Sequence, residues 1–202
     1  MTEVICDIKQ KVIESAYVED SFDVAKRLLE ESGYSIVSSE ETARLRIQEG
    51  IDSGNGVREA FVYDNKMGVF LTKNSPIIQN PREATQAHRR HMEYYLTDEQ
   101  VEQALKNSIK IPEGIKSIPT NRFGEDPITN YVFRNQADPY GQFLGEEGIR
   151  AIPIYLSCLQ EKPFAKQMLF GGFNAQSSLD GDIWLLSNHV KLRGIKEDPI
   201  GY

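Results

Sequence analysis

A chain of 202 residues has the length of one ordinary domain, and 40% hydrophobic residues can form a buried core, which excludes a wholly disordered protein. The formal net charge of −7 excludes a general nucleic-acid coat and a membrane-surface binder. Residues 57–122 nevertheless carry 10 basic and 8 acidic side chains, whereas both flanking segments are acidic. Any anion-binding site is therefore expected to be local.

The two cysteines, Cys6 and Cys158, lie far apart and neither belongs to a C-x-x-C pair, which excludes a zinc ribbon and a disulfide scaffold. We expect both to be reduced thiols, with Cys158 buried. No segment approaches the roughly 18–20 apolar residues of a membrane span. The chain begins without a basic region followed by an apolar stretch, so it lacks the pattern of a signal peptide. These features predict a cytoplasmic protein with no membrane partner.

The N-terminal region has the pattern of a helical lobe. Asp7 is a potential cap for a first helix, because apolar residues recur at helical spacing over 8–17. Asp20 or Ser21 is a potential cap for a second helix with apolar residues over 24–29. Gly33 predicts the end of that second helix.

A third helix and a loop complete this lobe. Residues 34–37 are predicted to be extended, and the capping-box pattern at 38–41 predicts a helix that ends at Gly50. Residues 51–56 contain two glycines and an asparagine and interrupt every apolar period, which predicts a loop. We interpret this loop as a potential subdomain boundary.

The central region combines a hairpin with two helices. Residues 59–63 and 67–72 flank a polar turn, as two antiparallel strands do. Asn80, followed by proline, predicts the start of a fourth helix that runs to about Tyr95. A second capping-box pattern at Thr97 predicts a fifth helix.

The C-terminal half is predicted to be irregular first and strand-rich afterwards. Prolines and glycines interrupt residues 111–139, where we expect one short strand at 131–133. Apolar runs then predict strands at residues 151–156, 167–173, 182–186 and 190–193.

Strands that cluster apart from helices indicate an α+β fold. We predict a helical N-terminal lobe followed by a mixed, mainly antiparallel sheet with two central helices. The whole chain, residues 1–202, is expected to form a single compact domain.

Two of the three histidines lie on the fourth predicted helix, where the helical rotation places His88 and His91 on the inward, apolar face. Such a pair has the side chains to bind a divalent metal or to act as acid and base in a hydrolase. A third metal ligand would come from Asp180, Asp182 or His189. The commoner alternative is that these histidines simply pack in the core.

Five arginines are candidates for contact with an anion. On the fourth predicted helix, Arg82, Arg89 and Arg90 face solvent and can meet phosphate or carboxylate groups. The order of helices and hairpin in the N-terminal half also matches a winged helix-turn-helix, whose third helix would expose Arg44 and Arg46 to a DNA groove. The acidic charge of this half argues against DNA binding, and an ordinary solvated helix face explains the first three arginines.

The sequence lacks the glycine-rich phosphate-binding motifs and the serine-hydrolase motif. The leading hypothesis is therefore an intracellular binding or regulatory protein that contacts an anionic partner, with nucleic acid as one candidate. The first alternative is a metal-dependent hydrolase built on the histidine pair. The second is a scaffold or homo-oligomer that pairs through exposed tyrosines and phenylalanines.

Overall fold

The protein forms a mixed β-sheet with helices packed on both faces in the computed structural model. The structure describes residues 5–9, 13–50, 55–112, 116–155, 161–170, 179–182 and 191–197. This combination of helices with a mixed sheet confirms the predicted α+β class.

Twelve strands and seven α-helices lie within the described ranges. The strands are β1 (Ile5–Lys9), β2 (Ile13–Glu19), β3 (Ser35–Ile36), β4 (Asn55–Asp64), β5 (Gly68–Thr72), β6 (Tyr94–Tyr95), β7 (Ile109–Ile111), β8 (Lys116–Pro119), β9 (Ala151–Tyr155), β10 (Phe164–Phe170), β11 (Leu179–Asp182) and β12 (Lys191–Glu197). The α-helices are α1 (Phe22–Glu31), α2 (Ser39–Glu49), α3 (Pro76–Gln79), α4 (Pro81–Arg89), α5 (Asp98–Leu105), α6 (Pro127–Phe133) and α7 (Ala137–Glu146). Short 3-10 turns follow β8 at Thr120–Arg122 and α6 at Arg134–Gln136.

The sheet joins the two ends of the chain. Its strand order is β1-β2-β12-β4-β10-β11-β9-β8, and β5 adds to β4. The pairs β12–β4 and β11–β9 are parallel, whereas β2–β12, β4–β10 and β4–β5 are antiparallel. Strand β4 therefore lies inside the sheet, and it carries residues of the candidate site.

Two buried clusters occupy opposite faces of this sheet. Successive strand residues point to opposite faces, and in β4 Phe61 packs in one cluster while Val62 packs in the other. The first cluster includes apolar residues of α2, α6 and α7, and the second includes those of α1, α4 and α5. Each helix layer thus covers one face of the sheet.

The predicted first helix over residues 8–17 is wrong, because residues 8–9 belong to β1 and residues 13–17 belong to β2. Ala16 and Val18 are fully buried and Tyr17 between them is more exposed, which is the period of a strand. Strand β12, which is distant in the sequence, pairs with β2 and provides hydrogen-bond partners for its backbone N–H and C=O groups. The second and third helices are present as α1 and α2, and Gly50 ends α2 in the left-handed conformation with φ 61°.

The prediction of an irregular segment over residues 111–139, with a strand at 131–133, is also wrong. Residues 131–133 form the end of α6. The Asp126 side chain accepts hydrogen bonds from the backbone N–H groups of Ile128 and Thr129, and Pro127 occupies the first helical turn. Proline at this place favours a helix start, because the N–H that it lacks has no partner within the helix.

The predicted end of the fourth helix is wrong, and only part of the predicted 51–56 loop lies within the described residues. Helix α4 ends at Arg89 and not near Tyr95, because His91 adopts φ 56° and residues 94–95 pair with β10. Of the predicted 51–56 loop, residues 51–54 lie outside the described residues, and the remaining two begin β4.

Cys158, which was predicted to be buried, lies outside the described residues. Among the helices that the structure describes, none is both long and apolar enough to cross a bilayer.

Candidate functional site

The predicted histidine pair does not share one inward helix face. His88 lies in the last turn of α4 and is partly buried, whereas His91 lies beyond the helix and is exposed. The helical rotation used in the prediction stops at Arg89, so it does not apply to the second histidine. The two imidazoles are therefore not arranged as a pair on α4.

The other predicted metal ligands are only partly within the described structure. Asp180 and Asp182 belong to β11, which pairs with β10, and their side chains are outside the described part. His189 also lies outside the described residues. Where the chain is described, no three His, Cys, Asp or Glu side chains are grouped so that they could hold a metal ion. Divalent-metal binding stays a prediction.

The five predicted anion-binding arginines occupy different environments. Arg82, Arg89 and Arg90 are exposed, as the helical rotation predicts. Arg44 is partly buried in α2 and lines a shallow concavity of about 210 Å³. Arg46 is 1% exposed, which corrects the expectation that it reaches solvent.

Arg46 lies in the core because α2 turns this position toward α7 and β10. Its Nη1 donates a hydrogen bond of 2.9 Å to the Tyr140 hydroxyl, and its guanidinium lies 5.0 Å from the centroid of the Phe170 ring. The aliphatic stem of an arginine can pack among apolar groups in this way. We therefore assign Arg46 to internal packing.

A pocket of about 310 Å³ lies where the start of α2 meets β4, β5 and the end of α6. We call it the Lys73 pocket. It brings together charged residues that are distant in the sequence, which explains why no local motif contains them. Its lining residues are Ser38, Glu40, Glu41, Arg58, Glu59, Lys73, Val132 and Arg134.

Glu59 is the most buried charged residue of the Lys73 pocket, with 3% of its surface exposed. Its Oε2 accepts hydrogen bonds from the backbone N–H of Ser39 at 3.0 Å and from the Ser39 hydroxyl at 2.9 Å. Burial raises the pKa of the Glu59 carboxyl, and the hydrogen bonds from Ser39 and the charge of Arg58 only partly oppose this. The same contacts fix the start of α2 to β4.

The Gln167 side chain holds the backbone of β4 in place through hydrogen bonds. It is fully buried, and its Nε2 donates hydrogen bonds to the carbonyl oxygens of Val57 and Glu59, the latter at 2.9 Å. Its Oε1 accepts a hydrogen bond of 3.1 Å from the Ser75 hydroxyl. Because every contact is internal, Glu59 is held on a rigid strand and not on a loop.

Lys73 follows β5 and is partly buried against an aromatic ring. Its Nζ lies 4.7 Å from the centroid of Tyr131, whose hydroxyl accepts a 3.1 Å hydrogen bond from the Lys73 backbone N–H and donates to the carbonyl of Asn107. Burial lowers the pKa of Lys73, and the nearby charge of Arg134 lowers it further. Burial also raises the pKa of Tyr131 to about 12, so this hydroxyl stays protonated at neutral pH.

The two arginines of the pocket already pair with carboxylates of α2. Arg58 Nη2 lies 3.0 Å from Glu41 Oε2, and Arg134 Nε lies 3.7 Å from Glu40 Oε2. Arg134 adopts φ 49° and ψ −122°, a backbone conformation that favours glycine. Strain of this kind is common where a side chain is held for binding.

Glu59 was not predicted as a site residue, although the sequence contains a signal for it. It alternates with Val57 and Phe61 along an apolar strand, so the period of two places its carboxylate on a buried face. A carboxylate that is buried in this way is an established marker of functional sites. Lys73 and Arg134 had no comparable signal, because long-range packing alone brings them to Glu59.

Comparison with known proteins identifies the fold. No family model matches the chain, and no curated protein matches it. A solved structure described as "Accommodation of massive sequence variation in Nanoarchaeota by the C-type lectin fold" is similar over 95% of this chain and 100% of that one, with 16% sequence identity and a TM-score of 0.65. The chain thus shares its fold with a C-type lectin fold protein.

Proposed function

We propose that the protein is a binding protein without catalytic activity, which holds a small anionic ligand in the Lys73 pocket. One observation carries this proposal: the Lys73 ammonium lies in a pocket with two arginines and forms no ion pair with any described residue. Since both arginines already have carboxylate partners, Lys73 is the cation that a ligand anion can pair with.

The electrostatics of the pocket support an anion. Burial lowers the pKa of Lys73 most, the charges of Arg134 and Arg58 lower it further, and the charges of Glu59 and Glu40 partly oppose them. A ligand anion beside Lys73 would offset both the burial of its ammonium and the repulsion from the two arginines. Its interaction with Lys73 would also be stronger than at an open surface, because the pocket is partly shielded from water.

The size of the pocket favours a small molecule. A volume of about 310 Å³ is near the lower end of the range for ligand pockets, roughly 300–1,000 Å³. This volume suits a metabolite or one acidic side chain, and not a nucleic-acid duplex. Nucleic-acid binding through Arg82, Arg89 and Arg90 stays a prediction, as do the cytoplasmic location, the metal-dependent hydrolase and the homo-oligomeric scaffold.

The fold supports a binding role by analogy. The similar structure is described as accommodating massive sequence variation, so a scaffold of this kind tolerates different side chains. Function in such a case depends on the particular site that the scaffold carries. Here the described site consists of charged residues on β4, β5 and the helix ends.

Calorimetric titration with propionate, succinate and inorganic phosphate at low salt tests the proposal. We expect at least one of these anions to bind, and the replacement Lys73→Met to weaken that affinity about 10-fold or more, because a charged hydrogen bond contributes roughly 1.5–3 kcal/mol. Lys110→Met is the matched control, since Lys110 is exposed on the neighbouring strand β7 and outside the pocket.

Two results would contradict the proposal. The first is that none of the three anions binds to the wild-type protein. The second is that Lys73→Met and Lys110→Met bind the anion with equal affinity.

A further inference from the structure

The internal ion pairs of the Lys73 pocket leave one charge of each sign. The pocket has three cations and three carboxylates, and two of each are paired as Arg58–Glu41 and Arg134–Glu40. Lys73 and Glu59 remain. Within the described part of the chain, neither of them has an ion-pair partner, and they do not form an ion pair with each other.

The free oxygen of Glu59 gives a second, independent observation. Oε2 takes both hydrogen bonds from Ser39, and no other described residue donates a hydrogen bond to Oε1. Glu59 is nine-tenths buried and lines the pocket, so this oxygen is an acceptor at the ligand's position. A ligand that donates to this oxygen forms a hydrogen bond to a charged group, which contributes more to affinity than one between neutral groups.

We infer that the ligand is a free amino acid, whose carboxylate pairs with Lys73 and whose ammonium donates to Glu59 Oε1. This inference rests on the proposed function, since the carboxylate of the amino acid is the anion proposed above. The ammonium of the amino acid adds the positive charge that pairs with the Glu59 carboxylate. The ligand is neutral overall, as are the described side chains that line the pocket when Glu59 is ionised.

The physical reason is the desolvation of Glu59. Burial of an ionised carboxylate is costly unless a cation pairs with it. The ammonium of an amino acid supplies that cation together with N–H donors, and charge-assisted hydrogen bonds of this type are about twice as strong as neutral ones. A simple anion gives no such compensation, because its charge repels the Glu59 carboxylate.

The competing ligand is a simple anion that accepts a hydrogen bond from a protonated Glu59. The two ligands predict opposite effects of pH, because the ammonium needs the ionised carboxyl and the simple anion needs the protonated one. Burial raises the pKa of Glu59, so the change in ligand affinity with pH is expected above the ordinary carboxyl pKa of 4.5. The groups around Glu59 are Ser39, Glu40 and Glu41 of α2, Arg58 of β4, Lys73 after β5, Tyr131 of α6, whose pKa the charge of Glu59 raises, and Arg134 after α6.

Calorimetry with three matched ligands tests the inference. A thermal-shift screen of the free amino acids selects the tightest one, which is then compared with its analogue without the amino group and its analogue without the carboxyl group. We expect each analogue to bind about 10-fold more weakly or worse. Between about pH 7 and pH 4, where the amino acid keeps both charges, its affinity should fall as the pH falls.

The variant Glu59→Gln separates this inference from the proposed function. It should weaken binding of the amino acid, while the analogue without the amino group binds as tightly as before or more tightly, because its repulsion from the Glu59 carboxylate is removed. If the amino acid and that analogue bind equally to the wild-type protein, or if affinity rises toward acid pH, the amino-acid inference is wrong and the anion site stands. If no amino acid and no simple anion binds, both are wrong. The ligand comparison and its pH dependence use the wild-type protein, so they do not depend on the folding of the variant.

Discussion

The replacement Phe133→Ala is expected to lower the free energy of unfolding by about 3–5 kcal/mol, the usual cost of removing a fully buried phenylalanine side chain. Phe133 is the last residue of α6 and has no exposed surface. Its ring centroid lies 5.1 Å from that of Tyr140, 5.6 Å from that of Phe170 and 5.8 Å from that of Phe123. The cavity left by alanine therefore removes contacts between α6, α7 and the sheet.

Urea denaturation measures this effect, and Met92→Ala serves as the control. Met92 is 50% exposed, so its replacement should change the unfolding free energy by no more than about 0.5 kcal/mol. A loss below about 1 kcal/mol for Phe133→Ala would show that α6 does not pack on the aromatic cluster as described.

The replacement Arg134→Gly is expected to make the protein more stable and to weaken ligand binding. The backbone conformation at this position costs a non-glycine residue about 1–3 kcal/mol, and glycine removes that cost at an entropic penalty of roughly 0.5–1 kcal/mol. The ion pair with Glu40 contributes little to stability, because the Arg134 side chain is 59% exposed. We therefore expect a net gain of about 1 kcal/mol in the unfolding free energy.

Arg134→Ala is the matched variant, since it also removes the guanidinium but keeps a Cβ at the strained position. Both variants should bind the anion with similarly reduced affinity, because each leaves the Glu40 carboxylate of the pocket without its cation. The unfolding free energy should be higher for glycine than for alanine. Equal stability of the two variants would mean that the strain at Arg134 is absent. Undiminished anion binding in both would mean that Arg134 does not contribute to the pocket.

Elements with local start signals were predictable from the sequence. The capping boxes at Ser38 and Thr97 both form, with the side chain of each cap accepting the N–H of the third helical residue. The information for such a start lies within four residues, so single-sequence reasoning can use it. The hairpin of β4 and β5 is local in the same sense.

Elements that depend on distant partners were not predictable in this way. Strand β2 pairs with β12, and the buried hydrogen bond from Arg193 to Ser15 joins residues 178 positions apart. The apolar spacing of residues 8–17 fits a helix as well as a strand, and only this pairing decides between them. In α6 the error is reversed, because a strand was predicted where the structure has a helix. The prolines of residues 111–139 were interpreted as breaks, although Pro127 lies at a helix start.

In the candidate site, too, local patterns were predictable from the sequence and long-range packing was not. The helical rotation predicted correctly that Arg82, Arg89 and Arg90 are exposed, but exposure alone does not form a pocket. The Lys73 pocket forms because residues of α2, β4, β5 and the end of α6 meet in three dimensions. Its buried carboxylate, Glu59, is the part of the site that the period of two in β4 can indicate, although it was not predicted.

We propose that the Lys73 pocket, and not the exposed face of α4, holds the anion. Titration of the ¹⁵N-labelled protein with propionate, followed by two-dimensional NMR of the backbone amides, distinguishes these two sites. We expect the largest saturable shifts at residues 38–41, Glu59, Lys73 and Arg134. Saturable shifts confined to Arg82, Arg89 and Arg90, or no saturable shifts at all, would contradict it.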